Sequence, residues 1–101
     1  MANKLVALAL ILAVTLTGMW FAHQSFKMRH WKEFKAAGDR AFGRKNYLYA
    51  EKMYREALQI AEDQDERDPR VVKSLTALHR LHKAQGSTRL ADSLLARART
   101  I

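Results

Sequence analysis

The sequence predicts an all-α protein in which an amino-terminal transmembrane helix is followed by two helix-turn-helix hairpins. Three observations carry this. The uncharged run "LVALALILAVTLTGMWFA", 18 residues from Leu5 to Ala22, has the length and composition of a helix that crosses a bilayer core. Beyond it, apolar residues recur at spacings of three and four, as in Ala50, Met53, Tyr54, Ala57, Leu58 and Ile60, the period of a helix with one buried face. Pro occurs once and Gly four times in 101 residues, and alternating β-branched runs are absent, so no sheet is expected.

The first element, residues 1–26, reads as a single-pass anchor. Trp20 and Phe21 stand where an interfacial aromatic belt would be, and Lys27, Arg29 and Trp31 follow at headgroup level. Trp31 alternatively opens the core of the next element. A cleaved signal peptide is the competing reading; it would need small residues at −3 and −1, and cuts after Ala22 or Gly18 place Trp20 or Leu16 at −3. The basic flank of Lys27, Arg29, Lys32 and Lys35 outweighs Lys4 and favours a cytoplasmic carboxyl-terminal module. A short lysine-bearing tail that stays inside would instead place the module on the periplasmic or extracytoplasmic side.

Residues 27–101 divide into four helical stretches. Trp31 to Arg44 is the first, its end loosened by Gly43, with Asn46 capping the second from Tyr47 to about Asp63. "EDQDERDP" interrupts, and Asp68-Pro69 supplies a capping carboxylate followed by proline where a missing N–H costs nothing. The third stretch runs to Gln85 and ends at Gly86, and Ser87 caps the fourth. These stretches pair, and the pairs repeat at an offset of 41 residues: Phe34 aligns with Leu75, Ala37 with Leu78, Ala50 with Ala91, Tyr54 with Leu95, Ala57 with Ala98 and Ile60 with Ile101. Lys32 meets Lys73 and Ala36 meets Ala77 at the same offset.

Over residues 31–64 and 69–101 the chain resembles the tetratricopeptide repeats. That pattern sets a large residue early in the first helix, a leucine followed by a small residue, a tyrosine beyond, and then alanine, aromatic, alanine along the second helix. The first repeat supplies Phe34, Ala37-Gly38, Tyr47, Ala50, Tyr54 and Ala57; the second supplies Leu75, Leu78, Gly86, Ala91, Leu95 and Ala98. The long offset resembles the extended repeats of kinesin light chains. His79, His82 and Thr88 depart from the pattern, which makes the second repeat a degenerate or terminal one. The resemblance implies a concave groove lined by the first helix of each repeat, here Lys32, Lys35, Asp39 and Phe42 with Lys73, Thr76, Arg80 and Lys83. Of the family's carboxylate clamp only Lys35 is present; Asp39 and Ala77 stand where asparagines are expected, so chaperone tails are not predicted as ligands.

No residue pattern points to catalysis or a cofactor. The chain has no cysteine, no glycine-rich phosphate loop and no Ser-His-Asp set. His79 and His82, three residues apart on one helix, lack a convincing third ligand and read as packing residues. The acidic stretch around Asp65 lacks the glycine and terminal glutamate of a calcium loop. A formal charge of +8 suits an acidic protein segment or anionic lipid; without an aromatic stacking platform it does not suit nucleic acid. The expectation is therefore a membrane-anchored interaction module acting as an adaptor or docking platform, or else an accessory subunit of a larger membrane complex. Two repeats ending at Ile101 without a capping helix would leave Leu90, Leu94 and Leu95 as an open face for a partner or a homodimer.

Overall fold

The computed structural model describes residues 2–101, with side chains for residues 3–23 and 29–101. It is all-helical among the described residues: α1 (Ala2–Gly43), α2 (Tyr47–Gln64), α3 (Pro69–Ala84) and α4 (Thr88–Arg99). The apolar segment and the charged stretch that follows it are one continuous helix. The reason is local: between Gly18 and Gly38 the chain contains neither glycine nor proline, so nothing breaks the backbone where composition turns from apolar to charged. At 1.5 Å per residue α1 spans roughly 63 Å, and the molecule's longest dimension is 70 Å. Within it, Asn3–His23 is long and apolar enough to cross a membrane, and none of it is buried by the rest of the protein. Thr15 and Thr17 donate back to the carbonyls of Ile11 and Ala13, both at 2.8 Å, which leaves no hydroxyl unsatisfied on an apolar helix.

The chain then reverses three times, and each helix packs against the next. Both α1 and α3 end in the same hydrogen-bonded turn. Lys45 takes a left-handed φ of 62° and Asn46 N–H reaches back to the Ala41 carbonyl at 2.9 Å; 41 residues later Gly86 has φ 80° and Ser87 N–H reaches the His82 carbonyl at 2.9 Å. This six-to-one closure satisfies carbonyls a helix end would otherwise leave open. The left-handed residue after α1 is Lys45, beyond Gly43, which is still helical, and the two turns match at the 41-residue offset. Asn46 accepts from Tyr49 N–H, and Asp68 accepts from Arg70 N–H at 2.8 Å. Ser87 precedes α4 but, unlike Asn46, makes no side-chain cap bond.

The core forms where α2 lies between α1 and α3. Ala50, Tyr54, Leu58 and Ala61 of α2 pack with Ala41 of α1 and with Val71, Leu75 and Leu78 of α3. Small residues set the α1–α2 approach: Ala50 and Ala57 are fully buried, and Gly38 lies directly on the Tyr54 ring. A Cβ on residue 38 would stand 2.5 Å from two ring carbons, so only glycine allows this separation. Leu94 and Ala98 of α4 close the far side of the core.

Candidate functional site

α1 and α3 run in the same direction on either side of a groove of about 570 Å³. The residues that line it fall in pairs at the 41-residue offset: Trp31 and Val72, Lys32 and Lys73, Lys35 and Thr76, Ala36 and Ala77, Asp39 and Arg80. α2 holds the two walls apart by packing on both, and the alanines keep the floor open.

The wall on α1 is fixed at both ends. Trp31 Nε1 donates to Ser74 Oγ at 2.9 Å, and Ser74 Oγ donates to the Arg70 carbonyl at 2.8 Å. The Arg70 guanidinium stands 5.9 Å from the indole centroid, within cation–π range. Trp31 is half-buried against the core, so its indole ties α1 to α3. At the other end Asp39 receives the Tyr54 hydroxyl at 2.6 Å and Lys35 Nζ at 3.1 Å. Burial of Tyr54, and then its bond to the Asp39 carboxylate, push the phenol far above its ordinary range. Its hydroxyl therefore remains a donor at any physiological pH.

Four cations and one carboxylate line this groove. Lys35 is engaged by Asp39, whereas Lys32, Lys73 and Arg80 make no ion pair among the described residues. Phe42 and Lys83 do not line the groove. Phe42 packs against the core and meets the Tyr47 ring edge-on at 5.7 Å, and Lys83 is exposed near the end of α3. These two positions match each other across the offset, and both lie where the chain turns away.

The other residues singled out by the sequence are dispersed. Leu90 is 43% exposed beside a shallow depression at the α3–α4 turn, while Leu94 and Leu95 are half-buried. Trp20, Phe21 and Arg29 are exposed along α1; Lys27 lies outside the described residues at the level of side chains. His79 places Nδ1 2.7 Å from the Ala91 carbonyl and so links α3 to α4. His82, 4% exposed, has its Nε2 without a hydrogen bond, 3.7 Å from a Glu51 oxygen that Arg55 already occupies. Among the described residues no three His, Cys, Asp or Glu side chains converge as a metal site.

The Tyr54–Asp39 and Trp31–Ser74 bonds were not read from the sequence; each joins residues whose spacing, 15 and 43, matches no local pattern. Comparison of the chain with protein-family models, with curated proteins and with solved structures finds no match.

Proposed function

We propose that the protein is a single-span membrane protein displaying a two-repeat module of the tetratricopeptide type, and that its work is binding rather than catalysis. The groove between α1 and α3 takes an acidic segment of a protein partner, and the span holds that partner at the membrane. The carrying observation is the set of three unpaired cations, Lys32, Lys73 and Arg80, over an alanine floor. None of the three is in an ion pair among the described residues, although the Arg80 charge acts on the nearby Tyr54 hydroxyl, and an anionic segment laid among them gains charge-assisted hydrogen bonds. The 41-residue register and the order of packing, each helix against the next, support the repeat reading.

The test is a titration of a fluorescent ten-residue peptide rich in Asp and Glu against the full chain in nanodiscs. Wild type should bind, and the triple variant K32E/K73E/R80E should lose at least tenfold in affinity with an unchanged circular dichroism spectrum. Equal binding by the two would remove the groove from the reading.

One observation favours a second reading, an accessory subunit built into a larger membrane complex. Because α1 continues unbroken from the apolar segment into the module, the two move as one rod, which suits a fixed assembly. Purification in mild detergent separates the readings: a stoichiometric companion that survives high salt belongs to a subunit, and a salt-labile one to a docking platform.

A further inference from the structure

The height of the groove above the apolar segment restricts what can occupy it. This inference rests on the proposed function, since it takes Asn3–His23 as a span and the groove as the docking site. Trp31 and Asp39 lie 8 and 16 residues beyond His23 on the same unbroken helix, so the groove extends from roughly 12 to roughly 24 Å above the end of the span. Lipid headgroups extend only about 5–8 Å beyond the hydrocarbon on each side. Arg29, at roughly 9 Å of backbone rise, is at their edge, and Lys32 reaches them only by leaning down toward the membrane. Arg80, whose charge acts on the Tyr54 hydroxyl held by Asp39, lies near the upper end, so anionic lipid does not fill the groove along its length.

We infer that the occupant is the acidic juxtamembrane segment of a neighbouring membrane protein, its carboxylates about four to seven residues beyond its own span. An extended chain rises at most about 3.3–3.6 Å per residue, so residues at that distance from a span arrive at the level of Trp31 to Asp39. Three features match such a segment. Lys32 and Lys73, near the starts of the two walls, both line the groove, so a carboxylate of a rising chain meets two cations low in it. Ala36 and Ala77 behind them leave room for a backbone and small side chains. Arg80, whose charge acts on the Tyr54 hydroxyl, supplies a third cation at the upper end, where Asp39 is held by Tyr54 and Lys35. Confinement of both chains to one bilayer raises their effective concentration, which suits a groove with an openly solvated rim and modest intrinsic affinity.

The chain has no cysteine, so Thr76→Cys on the groove wall gives a single reporter. In proteoliposomes it is paired with a designed single-span peptide carrying an Asp/Glu block and one cysteine four to seven residues past its span. A second probe raises the same block on a twelve-residue Ala/Gln helix, by roughly 18 Å, and a third replaces the block with lysines. Leu48→Cys, 80% exposed at the far turn, measures random collision. The expected result is disulfide formation at Thr76→Cys at least tenfold faster with the low acidic block than with the raised or basic one, falling to the Leu48→Cys rate on adding K32E/K73E/R80E. Equal, charge-sensitive rates for the low and raised blocks overturn the height assignment while leaving the groove intact. Rates at the collision level for every probe also overturn it, and the soluble-peptide titration then shows whether the groove reading falls with it.

Discussion

Replacing Gly38 with alanine tests the packing that spaces α1 from α2. The added Cβ would stand 2.5 Å from Cδ1 and Cε1 of Tyr54 and 3.1 Å from Cζ, about 1 Å inside normal contact. The ring has nowhere to go: Tyr54 is 3% exposed and its hydroxyl is held by Asp39 at 2.6 Å. Either the helices part or the ring swings and strains that bond. Overpacking of this kind costs about 1–3 kcal/mol, and weakening a hydrogen bond to a carboxylate adds up to about 1.5 kcal/mol. Alanine's helix propensity returns about 1 kcal/mol. The net expectation is a loss of about 2 kcal/mol, or roughly 8–16 °C in Tm for a domain of this size. Gly43 provides the control, since nothing lies within 4 Å of a Cβ there and Gly43→Ala should be neutral or stabilising by up to about 1 kcal/mol. Urea unfolding of the full chain in micelles, followed by near-ultraviolet circular dichroism of the aromatic residues, reads the module rather than the apolar segment. In a Tyr54→Leu background Gly38→Ala should lose its cost. A Gly38→Ala protein as stable as Gly43→Ala would refute the close approach.

At the turn, Lys45→Gly should stabilise by about 1 kcal/mol because a left-handed φ penalises a side chain, whereas Gly86→Ala should cost a similar amount; the same urea series measures both. Stability should fall as pH rises past about 10, the ordinary tyrosine value, since Tyr54 holds its proton more tightly folded than unfolded; Tyr54→Phe should remove that part of the alkaline loss. For topology, a cysteine at Ser87, exposed at the α3–α4 turn, should resist an impermeant maleimide in sealed cells if the basic flank keeps the module cytoplasmic; labelling reverses the orientation. Leu90→Lys should leave stability within about 0.5 kcal/mol, while Leu94→Lys, which loses a core contact, should cost more than 1 kcal/mol. Sedimentation of both variants shows whether this face joins two copies.

Most of the helix boundaries were legible because each depends on neighbours in sequence. Asp68-Pro69, Asn46 and Gly86 act within a turn of where they stand, and the stripe through Ala50 and Ala57 has a period that only a helix satisfies. Continuity of α1 was not legible: a change from apolar to charged composition looks like a boundary, but the backbone responds only to residues that break helices, and none occurs there. Lys45 was missed because a lysine carries no sign of a left-handed turn; the closing bond from Asn46 to Ala41 imposes it. The resemblance implies Phe42 and Lys83 as groove positions; Phe42 instead packs on the core and on the Tyr47 ring, and Lys83 is exposed near the end of α3.

The offset that reveals the repeat also separates what packing requires from what it does not. Except for His82, buried positions on the two halves are apolar or small: Ala50 and Ala91 sit where helices come close, with exposures of 0% and 1%. Asp39 has a structural reason too, since it accepts the Tyr54 hydroxyl; at the matching place in the second half Leu95 replaces the tyrosine, and Arg80 replaces the aspartate it would have served. No such account covers the lysines at 32 and 73. They occupy equivalent places, are exposed, and pair with nothing among the described residues. Exposed lysines are ordinary on a solvated helix, but these two line one groove, where like charges repel. The acidic segment proposed above would give both lysines a partner through charge-assisted hydrogen bonds.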